Sequence, residues 1–122
     1  MLIATWIVNG ILAALMLLSG GMKALSAPEK LKEKGMGWVD DFPGGFSRFI
    51  GIVEVLGALG LILPLATGIA PILTPLAALG LVIIMAGATV VHIRRKEPFV
   101  PALVITLIAV ASAALSFAVV LG

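Results

Sequence analysis

The chain of 122 residues is 61% hydrophobic and 11% charged, with no cysteine and a net charge of +2. A mean hydropathy of +1.26 means more apolar surface than one small core can hide from water, so the chain is built for lipid. Without cysteine it makes no disulfide, thiolate metal site or dithiol relay of its own, and a small net charge carried in short loops excludes a nucleic-acid face.

The first apolar run extends from Leu2 to about residue 23, with Thr5, Asn9 and Ser19 as polar interruptions. At 1.5 Å per residue it crosses a hydrocarbon core of ~30 Å. A cleaved signal peptide is the rival reading, because Ala24, Ser26 and Ala27 are small residues after an apolar stretch. The run has no basic residue before it and is too long for a signal core, so it is read as a span.

The chain then turns polar. Ser26, Pro28 and Glu29 have the order of an N-cap, a first-turn proline and a capping-box acid, which predicts a short helix through Glu33 that Gly35 stops. Trp38, Phe42 and Phe46, interleaved with Asp40 and Asp41, predict an amphipathic, interfacial segment with its rings among the headgroups. An ordinary solvated loop is the alternative.

A second run covers about 47–66 with Glu54 as its charge, and Thr67 and Gly68 make a turn. The third covers about 71–93, with Pro71 suited to a first helical turn and Pro75 expected to bend the helix. Arg94, Arg95, Lys96, Glu97 and Pro98 end it, and a last run of about 99–121 has no charged residue. The fold class is therefore an all-α membrane protein: one domain forming a four-helix up-down bundle, since a barrel would need short alternating strands.

Lys23, Lys30, Lys32, Lys34, Arg48, Arg94, Arg95 and Lys96 all lie in or beside the first and third loops. The positive-inside rule then places loops 24–48 and 94–98 in the cytoplasm and both termini outside, in the cell (inner) membrane. Small residues mark the faces where helices approach: Gly51, Gly57, Ala58 and Gly60 in the second span, Ala77, Gly80 and Gly87 in the third, Ala109, Ala113 and Ser116 in the fourth.

Glu54 is the leading candidate for chemistry, because a carboxylate in hydrocarbon costs at least ~2 to 3 kcal/mol unless it is paired, protonated or hydrated. It falls about 10 Å inside the charged boundary, within reach of a long cationic side chain. Lys23 ends the first span, His92 ends the third, and Arg48 opens the second, so a cluster of Glu54, Lys23 and His92 is expected, with Arg48 nearby. It is either a binding or proton-handling site or a buried ion pair that sets helix register. Asn9 is expected to bond across helices. One histidine without cysteine makes no usual zinc or haem site, and no hydrolytic triad can assemble, so an autonomous enzyme is not expected.

Ser19-Gly20-Gly21-Met22-Lys23, the stretch from Gly51 through Glu54 to Gly60, and His92 after an alanine-rich third span together resemble the DoxX-like family of small four-span bacterial membrane proteins. That resemblance covers nearly the whole chain and points again to Lys23, Glu54 and His92. It implies a subunit or partner of a membrane oxidoreductase system, including quinone-linked ones, and family relatives with cysteine pairs differ from this chain. The leading expectation is an accessory subunit holding a quinone or other lipophilic molecule near Glu54, in contact with the lipid bilayer and a partner membrane protein. Its rivals are a non-catalytic assembly scaffold for another membrane protein and a small transporter working as a homo-oligomer.

Overall fold

The computed structural model describes residues 1–33, 36–38, 42 and 45–122. Five helices follow in order: α1 (Leu2–Leu25), α2 (Pro28–Glu33), α3 (Phe46–Thr67), α4 (Leu73–Arg94) and α5 (Val100–Leu121). The four long ones are apolar enough to cross a membrane. Their outward side chains confirm the solvent: Leu18, Leu56, Ile83 and Leu107 are all more than half exposed, which lipid tolerates and water would not.

The spans alternate in direction and form a ring, in which α1 packs most extensively on α3 and α4 on α5, while thinner seams join α3 to α4 and α1 to α5. Leu12 and Met16 from α1, Leu61 from α3, Leu81 from α4 and Ala109 from α5 fill the centre. Between hydrocarbon side chains and hydrocarbon solvent there is little transfer gain, so close backbone approach and polar bonds have to specify the arrangement. One such bond set lies toward the uncharged end. Asn9, fully buried, donates from Nδ2 to the Leu61 carbonyl (3.2 Å) and to Ser116 Oγ (3.3 Å), and Ser112 Oγ donates to its Oδ1 at 2.6 Å. Asn9 thus ties α1 to both α3 and α5, as expected.

Several local expectations change. Ser26 does not head α2; it is the C-cap of α1, donating its backbone N–H to Met22 O, while the Ala27 carbonyl accepts from Lys30 and Leu31 and so occupies the capping position before Pro28. With one residue fewer between cap and proline, the box cannot form at Ser26. Helix α4 begins at Leu73, after a turn containing Pro71. Pro75 therefore falls in the first turn of α4, where its missing N–H has no intrahelical acceptor to lose, and the cause expected to bend the helix is gone. Gly80 and Gly87 pack against nothing within 4 Å of a would-be Cβ, so the close faces of α4 are Ala77, opposite Gly60, and Leu81, opposite Gly57. The helix stop at Gly35 and the positions of Lys34, Asp40 and Asp41 lie outside the described residues.

The α4–α5 turn is closed by backbone bonds from Lys96 N to Ile93 O and from Glu97 N to His92 O. That pattern puts Lys96 in the left-handed region, at φ 57°, a place glycine usually takes.

Candidate functional site

Two glycines build the site. A Cβ on Gly51 would lie 2.5 Å from Gly20 O and from Ala24 N, and one on Gly20 would lie 2.7 Å from Gly51 O. Backbone therefore meets backbone where α1 crosses α3. Three residues further along each helix, nearly one turn, stand Lys23 and Glu54, and the glycine contact presses their stems together.

Lys23 Nζ donates to Glu54 Oε1 at 2.6 Å and to Ser19 Oγ at 3.0 Å, and lies 5.8 Å from the centre of the Trp38 ring. Glu54 is wholly buried and Lys23 nearly so. The second carboxylate oxygen, Oε2, is buried with no hydrogen-bond donor among the described residues. A short charge-assisted bond on one oxygen and nothing on the other leaves the pair half satisfied, an arrangement that is costly in a low dielectric.

Both residues line a cavity of about 540 Å³ at the charged end of the bundle, within the range of small-molecule sites. Ser19 and His92 are its other polar lining residues, and the rest of the wall is apolar or aromatic, including Ile50 from α3, Ile84 and Met85 from α4, Ala102 from α5, and Trp38 and Phe42 from the segment between α2 and α3. The rings expected at the headgroups also find partners here, since Trp38 meets Phe42 edge-on at 6.1 Å and Phe42 stacks on Phe46 at 4.5 Å. Ile83 and Gly87 are lining residues that are also exposed, so the cavity reaches the lipid-facing surface of α4.

His92 lines the same cavity, but its Nδ1 faces Glu97 Oε1 at 3.3 Å, and Arg95 Nε donates to that same oxygen at 3.1 Å. The structure therefore joins Lys23 directly to Glu54 and sets His92 on the cavity wall with Glu97 as its partner. Arg48 stands apart: it is exposed and donates from Nε to the Ala24 carbonyl, one of the free carbonyls ending α1.

A family model described as the DoxX-like family matches residues 7–117. The chain belongs to the DoxX-like family. The match takes in the whole of α3 and α4, most of α1 and α5, and every residue that lines the cavity. No curated protein and no solved structure shows detectable similarity to the chain.

In this DoxX-like protein, sequence reasoning chose Glu54 and Lys23 from the cost of an intramembrane charge and missed four contributors. Ser19 stands in the sequence as a polar interruption of the first span and as part of the family pattern, without a stated role beside Lys23. Trp38 and Phe42, expected among the headgroups, also line the cavity. Glu97 was read as part of a helix stop. The signal that was present is the repeated spacing, Gly20 to Lys23 and Gly51 to Glu54, in which each charge follows a close-approach glycine by three residues.

Proposed function

We propose that this membrane protein holds a lipophilic small molecule of the quinone class in the cavity between its four long helices, as an accessory subunit of a membrane oxidoreductase system. The observation that carries the reading is a buried carboxylate with one unsatisfied oxygen on the wall of a mostly apolar, partly aromatic cavity that opens beside the exposed residues Ile83 and Gly87. A flat ring with polar substituents suits Trp38 and Phe42 on one side and the Lys23–Glu54 pair on the other, and an isoprenoid tail would leave past Ile83 and Gly87 into lipid. The charged loops face the cytoplasm and both termini face outside, by the distribution of Lys and Arg. Chemistry on the bound molecule belongs to the partner subunit, because the cavity offers one acid–base pair and His92 but no redox group of the chain's own.

The test is native mass spectrometry of protein extracted gently from membranes, with identification of any retained small molecule, on wild type and on Glu54→Leu. A quinone-class molecule present in wild type and absent from the variant is expected. Retention of phospholipid alone, or of a stoichiometric protein partner with no small molecule in either sample, would refute the reading and favour a scaffold.

A further inference from the structure

The pair of buried charges has an uneven inventory of bonds, and that unevenness selects among ligands. Glu54, 0% exposed, accepts from Lys23 at Oε1 and from no described residue at Oε2. The Lys23 ammonium has three N–H groups, of which two are used, on Glu54 and Ser19. Both groups belong to residues that line the cavity, so its wall carries one charged acceptor without a donor among the described residues and one ammonium N–H beyond those two bonds. From this we infer that the cavity is selective for a ligand head that itself carries a hydroxyl donor, a hydroquinone or phenol, over the corresponding quinone or ether.

The physical argument is one of satisfaction. A quinone carbonyl only accepts; it would take the remaining Lys23 N–H and leave Oε2 buried and unpaired in a cavity now emptied of water. A hydroquinone hydroxyl both donates and accepts. It would give its proton to a hydrogen bond with Oε2 and take the Lys23 N–H on its own oxygen, so that both members of the pair are complete. Hydrogen bonds to charged groups are the strong ones, and leaving such a group without a partner is what costs most. Sites built to bond a hydroxyl reject analogues that lack it for the same reason. No bond to hydrogen is broken in this account; the preference is one of binding alone, and its effect is that the reduced ligand is retained and the oxidised one released to the bilayer. The inference rests on the proposed quinone-class occupancy and names the redox form that the site prefers.

Equilibrium binding of three probes to the full chain in lipid nanodiscs, kept under argon, separates the possibilities. The probes are a decyl-hydroquinone, the matching decyl-benzoquinone and the redox-inert dimethyl ether of the hydroquinone, with each affinity corrected for partition into protein-free discs. The hydroquinone is expected to bind about tenfold or more tighter than either of the others. Glu54→Gln exchanges the open acceptor for an amide that also donates, so the preference should vanish or reverse in that variant. Equal binding of all three probes would overturn the donor preference while leaving a lipophilic site in place. Tighter binding of the quinone would overturn it. Specific binding of none would bring down both the preference and the proposed occupancy. Should Glu54→Gln not fold, the three-probe series on the wild-type chain still decides.

Discussion

The Lys23–Glu54 pair makes a quantitative prediction because its two members are not buried alike. Side-chain exposure is 11% for Lys23 and 1% for Glu54. Lys23 lies two residues from the end of α1, so in Glu54→Leu its four-carbon stem can swing the ammonium toward the charged boundary, and the loss should be small, about 1 kcal/mol or less. Glu54 has no such escape. Lys23→Met leaves a wholly buried carboxylate with neither oxygen bonded, and removal of one partner of a buried pair costs about 3 to 5 kcal/mol. The double variant Lys23→Met, Glu54→Leu removes both charges and should recover to within about 1 kcal/mol of wild type or exceed it. Equilibrium unfolding in mixed micelles, arranged as a double-mutant cycle, measures each value. Equal losses in the two single variants, or a double variant whose loss is their sum, would refute the claim that the two groups act as one asymmetric buried pair.

Four further outcomes follow from the same geometry. Gly51→Ala should destabilise the bundle by about 2 kcal/mol or more and weaken ligand binding, because its Cβ would meet the α1 backbone at 2.5 Å, whereas Gly57→Ala should cost less, about 1 kcal/mol, because its Cβ would meet only the side chain of the buried Leu81; equal effects on thermal unfolding would contradict the close-approach argument. Lys96→Gly should raise stability by about 1 kcal/mol in the same assay, since it relieves the left-handed backbone at φ 57°. Asn9→Leu should cost about 1 to 3 kcal/mol by orphaning the Ser112 and Ser116 hydroxyls, and a stabilised variant would show that the node contributes no net bonding. Ala88→Leu, on the cavity wall, should raise the melting temperature while lowering the affinity for a decyl-hydroquinone; a variant that binds it unchanged would place the ligand elsewhere.

Much of this architecture was legible because the signals that define it are one-dimensional. Four apolar runs of spanning length require no knowledge of packing, and the cost of an isolated carboxylate singles out Glu54 wherever it points. What failed depends on where a helix turn begins. Pro75 bends a helix that starts at Pro71 and is harmless in one that starts at Leu73; Ser26 caps α2 or closes α1 according to a single residue of register. Small size did not by itself identify contacts either. Gly51 and Gly80 look alike in the sequence, yet one touches another backbone and the other faces open space, since a glycine marks an interface only on the side of the helix that a neighbour occupies. Distances between residues far apart in the chain, such as Trp38 to Lys23, have no periodic trace at all.

The cavity and the charged pair have to be understood together. An apolar hollow that reaches a bilayer does not stay empty, because acyl chains fill it at little cost; volume alone therefore gives retention without choice. A buried ion pair alone gives register, and an apolar replacement would give it more cheaply. Placed on one wall, the two change each other's meaning. Acyl chains can fill the space but cannot satisfy Glu54 Oε2, so every lipid occupant leaves a polar debt that a hydroxyl-bearing molecule would cancel. The Gly20–Gly51 contact sets the pair beside a close backbone crossing. On the proposed function, discrimination against the surrounding lipid would come from that single unsatisfied atom.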